Sequence, residues 1–210
     1  MTDTLAFPAA TLATLTAAAI YGFGFLNAEI SHWRSFWKTL PVAIMALFAA
    51  ATGGGWLLAT ALGLSAVGDY FLSRDETKFT IGLVSFLAAH LLYIWIFWHL
   101  APRASLGWPH IAMGAYAVLY GRYLWPRAGE FRIPVLAYIL VITAMVSTAF
   151  LLPAPYGAVI AGSLAFALSD SLLALEMFVV SAPRTKVLLS KMVWVSYIMA
   201  QGLLVVGLMA

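Results

Sequence analysis

Two aspartates stand inside long apolar segments of this sequence, where ionisable side chains are rare. Asp170 lies in the run Ala165–Leu173, and Asp69 lies near the end of another apolar run. An aspartate at the centre of a bilayer costs at least ~2.5–3.5 kcal/mol on insertion scales, so those that persist usually face a bundle interior and act there. In one shared cavity, these two carboxyl groups would form an acid–base pair, one protonated and one ionised.

Each aspartate also has a structural interpretation. Asp170 lies about ten residues from the end of its segment, and there a carboxyl group can join two helices through a hydrogen bond. Its depth favours a functional role. Asp69 lies four residues before the end of its segment. From position alone, a carboxylate at the membrane surface explains Asp69 nearly as well.

Five further polar side chains could line a cavity with the carboxyl groups. His90 and Tyr93 are three residues apart, and Tyr197 and Gln201 are four apart, so each pair shares a helical face. Lys38 stands at the start of another apolar segment. Taken singly, His90 is explained by packing and Lys38 by a lysine that snorkels to the interface. Hydrogen bonds between helices explain Tyr197 and Gln201.

Several common chemistries lack their sequence motifs. The sequence has no cysteine, which excludes disulfides, thiolate nucleophiles and cysteine metal sites. Of the four histidines only His90 lies deep in an apolar segment, and no two have the i, i+4 spacing of a helical metal-binding pair. We therefore expect no metal site. The Gly-flanked nucleophile elbow, the Walker loop and the dinucleotide fingerprint are absent from the sequence.

The composition requires a bilayer as solvent for these residues. Hydrophobic residues make up 64% of the 210 positions and charged residues only 9%, whereas soluble domains carry roughly 25% charged residues. The net charge is +3, but no basic cluster sits on a polar segment, so we expect no nucleic-acid partner. The sequence predicts one integral membrane domain over residues 1–210.

Eight apolar segments have, or nearly have, the ~20 residues needed to span a hydrocarbon core ~30 Å thick. The sequence therefore predicts an all-α, polytopic transmembrane helical bundle of eight spans. The fifth span is the weakest, because Tyr120, Gly121, Arg122 and Tyr123 interrupt it. The predicted spans are 5–27, 36–52, 56–73, 79–100, 108–125, 132–152, 156–180 and 188–209.

The basic residues give the predicted orientation. With eight spans, ten of the eleven Lys and Arg residues fall on one side of the membrane, and only Arg103 falls on the other. The positive-inside rule makes the crowded side cytoplasmic and places both termini outside. We expect a multi-pass protein of the bacterial plasma (inner) membrane.

A short internal similarity accompanies this pattern. Gly68–Leu72 ends the third span, and Ser169–Leu173 lies in the seventh, which runs in the same direction. The match indicates either a parallel pseudo-repeat of four helices plus four, or chance.

Five segments of the sequence resemble those of one known family. They are Lys38–Pro41, Ser65–Leu72, Phe86–Tyr93, Ala167–Ala174 and Tyr197–Gln201. In this order and spacing they resemble the lysoplasmalogenase (YhhN-like) family of multi-pass membrane proteins, from about Lys38 to Gln201.

The resemblance implies a hydrolase that cleaves the vinyl ether bond of lysoplasmalogens, giving a fatty aldehyde and glycerophosphocholine or glycerophosphoethanolamine. It implies eight helices, a lysophospholipid substrate, and neither metal nor organic cofactor. It also points to Asp69 and Asp170 as the catalytic acidic pair. The further site candidates that match the family pattern are Lys38, His90, Tyr93, Tyr197 and Gln201.

The implied chemistry suits two carboxyl groups. Protonation of the β-carbon of a vinyl ether creates an oxocarbenium ion, and a protonated aspartic acid can supply that proton. The second carboxylate can stabilise the cation and activate water, as paired carboxylates do in glycoside hydrolysis. The residues alone leave open which aspartate is the acid. Lys38 could contact the phosphate of the substrate.

Two other functions remain open. Intramembrane acids and a repeat also suit a membrane transporter or a lipid flippase, and a structural protein could use the same polar residues only to join its helices. An enzyme releases aldehyde in detergent, whereas a transporter needs a sealed membrane.

Overall fold

The computed structural model describes residues 3–74, 76–102 and 105–209. Within these ranges the chain forms eight α-helices and no strand. The helices are α1 Asp3–Ile20, α2 His32–Ala51, α3 Trp56–Leu72, α4 Glu76–Leu100, α5 Trp108–Leu124, α6 Arg132–Ala149, α7 Gly157–Phe178 and α8 Pro183–Met209. A π-helical turn, Tyr21–Phe25, continues α1. The prediction of an all-α chain of eight helices is confirmed.

Helix boundaries differ from the predicted spans mainly where a helix extends into polar sequence. The eighth span was predicted to begin at residue 188, but α8 begins at Pro183 and includes Arg184 and Lys186. Proline is favoured in the first turn of a helix, because its missing N–H would have no partner there. The apolar pattern marks only the part of a helix that lies in hydrocarbon, whereas the hydrogen-bonded helix continues into the interface.

Five helical segments of the described chain are long and apolar enough to cross a membrane. They are Ala6–Phe25, Lys78–Leu100, Gly129–Ala149, Ala154–Phe178 and Pro183–Met209. Trp56–Leu72 is apolar but shorter. The chain is therefore an integral, polytopic membrane protein. Arg103, the basic residue expected on the opposite side of the membrane, lies outside the described residues.

The chain divides into two compact units. Met1–Leu92 with Leu208–Ala210 form the first unit, and Tyr93–Gly207 form the second. The division falls within α4. That residues 1–210 act as one domain, and that they contain a four-plus-four repeat, stay predictions.

Close helix packing at glycine positions organises the first unit. Gly68 of α3 lies against Phe86 of α4, and a Cβ atom at Gly68 would stand 2.5 Å from Cδ2 of that ring. At Gly82 of α4, a Cβ atom would stand 2.8 Å from Cγ of Leu72. Small residues let neighbouring helices approach closely where the hydrophobic effect does not drive their association. These contacts fix the end of α3 that carries Asp69.

Helices α7 and α8 pack in the same way in the second unit. A Cβ atom at Gly162 would lie 3.0 Å from the carbonyl oxygen of Ala200, and one at Gly207 would lie 2.8 Å from the backbone nitrogen of Val159. In both places the glycine faces backbone atoms of the other helix. The close approach of α7 and α8 therefore requires glycine, which has no Cβ atom, at both positions.

Candidate active site

The structure pairs Lys38 with Asp69. Lys38 Nζ on α2 lies 4.0 Å from Asp69 Oδ1 on α3. The Asp69 side chain is only 2% exposed, while Lys38 is 19% exposed. A cation at this distance favours the ionised carboxylate. The Asp69 side chain is thus enclosed by protein next to a cation.

Polar contacts fix the helix ends next to this ion pair. Ser31 Oγ caps α2 by accepting from the backbone N–H of Arg34 at 3.1 Å. Arg34 Nη1 in turn donates to the carbonyl oxygen of Ser73, just beyond α3, at 3.1 Å. Ser73 Oγ donates to Ser35 Oγ at 2.7 Å. Because α2 and α3 are joined one turn from Lys38 and Asp69, the two charged groups keep their separation.

His90 is a fully buried residue of α4. Its Nδ1 lies 2.6 Å from the carbonyl oxygen of Phe86. A carbonyl oxygen can only accept, so Nδ1 carries the proton and donates, and in the neutral ring Nε2 is the basic nitrogen. The backbone carbonyl of Phe86, whose ring packs against Gly68, therefore orients this imidazole.

Asp170 has a partner of a different kind. Tyr138 of α6 donates its hydroxyl to Asp170 Oδ2 of α7 at 3.1 Å. The phenol is neutral, so this contact brings no cation to the carboxyl group. At Oδ2 the Asp170 carboxyl group thus accepts from a neutral hydroxyl, whereas Asp69 lies beside an ammonium group.

Two more tyrosines contact the residue after Asp170. Tyr116 Oη lies 2.9 Å from Ser171 Oγ, and Tyr120 donates to the carbonyl oxygen of Ser171 at 2.5 Å. Both tyrosines belong to α5, one turn apart, and their rings stack with centroids 5.4 Å apart. The stretch Tyr120–Tyr123, which interrupts the fifth predicted span, is thus part of the continuous helix α5. The hydroxyl groups of Tyr116 and Tyr120 on this helix bind α7.

Tyr93, Gln201 and Tyr197 form a buried chain of hydrogen bonds. Tyr93 donates to Gln201 Oε1 at 2.9 Å, and Gln201 Nε2 donates to Tyr197 Oη at 3.4 Å. Tyr93 and Gln201 are fully buried, and Tyr197 is nearly so. The Gln201 carboxamide thus accepts a hydrogen bond from Tyr93 and donates one to Tyr197, and these two bonds fix its orientation.

The structure therefore brings several sequence-predicted residues together. Lys38 forms an ion pair with Asp69, and Tyr93 and Tyr197 both form hydrogen bonds with Gln201. That Asp69 and Asp170 share one cavity stays a prediction.

Tyr138, which contacts Asp170 directly, was not predicted from the sequence. It is one of nine tyrosines, and its partner comes from another helix. The signal that could have found it is a phenol within an apolar span, because a buried hydroxyl needs a hydrogen-bond partner.

Comparison with known proteins gives a family match over most of the chain. The model of the YhhN family matches residues 33–208. No solved structure matches the chain.

Several curated proteins are also similar. A lysoplasmalogenase of Mycobacterium bovis is 34% identical over 160 residues, which cover 72% of this chain and 59% of that protein. The human lysoplasmalogenase TMEM86B is 35% identical over 160 residues, covering 74% and 68%. The rat lysoplasmalogenase TMEM86B is 34% identical over 176 residues, covering 80% and 72%. The chain thus spans about 59% of the length of the mycobacterial relative.

Proposed function

The chain belongs to the YhhN family, and we propose that it hydrolyses the vinyl ether bond of lysoplasmalogens. The products are a fatty aldehyde and glycerophosphocholine or glycerophosphoethanolamine. The names of the relatives support the substrate class. We also propose that the protein lies in a bacterial inner membrane with both termini extracytoplasmic.

One observation supports different catalytic roles for the two carboxyl groups: the partner of one is charged, and the partner of the other is neutral. Asp69 lies beside the ammonium group of Lys38, whereas Asp170 accepts from the neutral phenol of Tyr138. Acid–base assignments follow environments that push two carboxyl groups toward different protonation states. In our proposal Asp170 is the general acid and Asp69 is the ionised partner.

The reaction then needs only these two groups and water. Asp170 gives its proton to the β-carbon of the alkenyl chain, and the α-carbon becomes part of an oxocarbenium ion, which the Asp69 carboxylate stabilises. Water adds to the α-carbon and loses a proton to Asp69. Collapse of the hemiacetal breaks the bond to the glycerol oxygen, which takes the proton from Asp69. The hemiacetal hydroxyl returns a proton to Asp170, and both groups are restored.

Lys38 has a second role in this proposal. Its side chain is partly exposed, so its ammonium group can meet the phosphate of the lysophospholipid while it keeps Asp69 ionised. His90 and the chain formed by Tyr93, Gln201 and Tyr197 are proposed to line the substrate site as neutral hydrogen-bonding groups.

The test is aldehyde release by the purified protein in detergent. We expect turnover of alkenyl lysolipids and none of their saturated ether analogues, which have no double bond to protonate. Equal rates on both would reject the mechanism, and activity only in sealed vesicles would favour a transporter.

Two isosteric variants test the carboxyl groups. Asp69→Asn and Asp170→Asn should each fold and bind lysolipid, and each should lose turnover by ~10²–10⁴, the usual contribution of proton transfer. Because the two residues act as a unit, the double variant should be little worse than either single one. Glu130→Gln makes the same chemical change at an exposed position before α6 and should keep full activity. A folded Asp170→Asn protein with normal turnover would return Asp170 to a structural role.

A further inference from the structure

Three tyrosine hydroxyls converge on two consecutive residues of α7. Tyr138 reaches Asp170, while Tyr116 and Tyr120 reach Ser171. They come from α5 and α6, so two neighbouring helices hold the same short segment of a third.

The direction of each hydrogen bond follows from the number of protons available. Ser171 Oγ donates its single proton to the carbonyl oxygen of Ala167 at 2.6 Å, so it accepts from Tyr116. The carbonyl oxygen of Ser171 can only accept, so Tyr120 donates to it. With Tyr138 donating to Asp170 Oδ2, all three phenols act as donors toward α7.

A carboxylic acid has one proton and two oxygens, and the oxygen that acts as the carbonyl is the better acceptor. A phenol that donates to Oδ2 therefore favours the form of Asp170 in which Oδ1 carries the proton. Sites that transfer protons depend on such fixed geometry, because the donor must lie within hydrogen-bond reach of the atom it protonates. The two bonds to Ser171 hold the backbone on which the carboxyl group stands.

We propose that Tyr138 is a positioning residue that holds Oδ2 of Asp170 as an acceptor, so that the proton for the vinyl ether sits on Oδ1, with Tyr116 and Tyr120 fixing the adjoining turn of α7. The inference rests on the proposed function, because Tyr138 would orient the carboxyl group of Asp170, the proposed general acid. The tyrosines themselves exchange no proton with the substrate.

The structure offers a matched pair of variants. Tyr138→Phe removes the hydroxyl that reaches Asp170, whereas Tyr120→Phe removes one that reaches only the neighbouring carbonyl. Each loses one oxygen and keeps its ring. Tyr123→Phe is the control: that ring is 40% exposed and packs against the guanidinium of Arg127, a contact that phenylalanine keeps.

The first measurement is infrared spectroscopy of the purified protein without substrate. The carbonyl stretch of a protonated carboxyl group should disappear in Asp170→Asn, which assigns the band. In Tyr138→Phe the same band should move to higher wavenumber, because its carbonyl oxygen has lost a hydrogen bond. Tyr120→Phe and Tyr123→Phe should leave the band in place. An unmoved band in a folded Tyr138→Phe protein, or no Asp170 band in the wild type, would overturn the inference.

The second measurement is kinetic. Tyr138→Phe should lower kcat about tenfold with KM nearly unchanged, the effect of losing one hydrogen bond in the transition state. Unchanged kcat in a folded Tyr138→Phe protein would refute the positioning role. If instead the wild type cleaves no vinyl ether while the band still moves in Tyr138→Phe, the proposed function fails but the hydrogen-bond geometry stands.

Discussion

The contact between Gly68 and Phe86 predicts that one added methyl group will damage the first unit. In Gly68→Ala the new Cβ atom would lie 2.5 Å from Cδ2 and 2.6 Å from Cε2 of Phe86. Carbon atoms in contact prefer a separation of about 3.5–4.0 Å, so the ring has to move by roughly 1 Å. Phe86 is only 6% exposed, so its neighbours have to move as well.

The magnitude follows from two opposing effects. Inserting a methyl group into a packed interior costs ~1–3 kcal/mol. Alanine is also a better helix former than glycine by ~0.8–1.0 kcal/mol. Gly63→Ala on the same helix gains the second effect without the first, because nothing lies within 4 Å of its new Cβ atom. We therefore expect Gly68→Ala to be less stable than Gly63→Ala by ~1–3 kcal/mol.

Reversible unfolding in mixed detergent and SDS measures the difference in unfolding free energy between Gly68→Ala and Gly63→Ala. Adding Phe86→Ala should remove the clash, so a double-mutant cycle should show favourable coupling between Gly68→Ala and Phe86→Ala. Turnover should also fall in Gly68→Ala, since Asp69 follows it directly and the Phe86 carbonyl holds His90. Equal stability of Gly68→Ala and Gly63→Ala would refute the reasoning.

Other predictions concern charge, buried polar groups and topology. Lys38→Met should lower thermal stability and aldehyde release more than Lys38→Arg, which keeps a cation beside Asp69; equal losses would show that charge is unimportant there. Gln201→Leu should cost ~1–3 kcal/mol in unfolding experiments because the buried Tyr93 hydroxyl loses its acceptor, and adding Tyr93→Phe should recover part of that loss. A reporter fused to the C-terminus should be active only outside the cytoplasm, and cytoplasmic activity would contradict the predicted orientation.

The sequence predicted the helices well because their signal is local. Each predicted span overlaps one observed helix, since a long apolar run is required wherever a helix crosses hydrocarbon. The errors lie at polar helix ends, as at the start of α8. Helical hydrogen bonding continues past the residues that hydropathy can identify.

The site was predictable only in part, because spacing along one helix does not show what another helix contributes. Tyr197 and Gln201 were placed on one face by their spacing, and they do interact. The partner of Asp170 comes from α6, 32 residues away, and no periodicity in the sequence joins them. Tyr120 appeared to weaken the fifth span, because a lone hydroxyl in a span looks unfavourable until its acceptor on Ser171 is known.

The glycine contacts between α7 and α8 have a consequence for the heat capacity of unfolding. At Gly162 and Gly207 the two helices meet through backbone atoms. If they separate within a bilayer, the exposed surface meets lipid rather than water. The large heat-capacity increase of soluble proteins comes from hydrating apolar surface, so it should be nearly absent here. The free energy of separating these helices should then vary almost linearly with temperature, and the pair should show no cold denaturation.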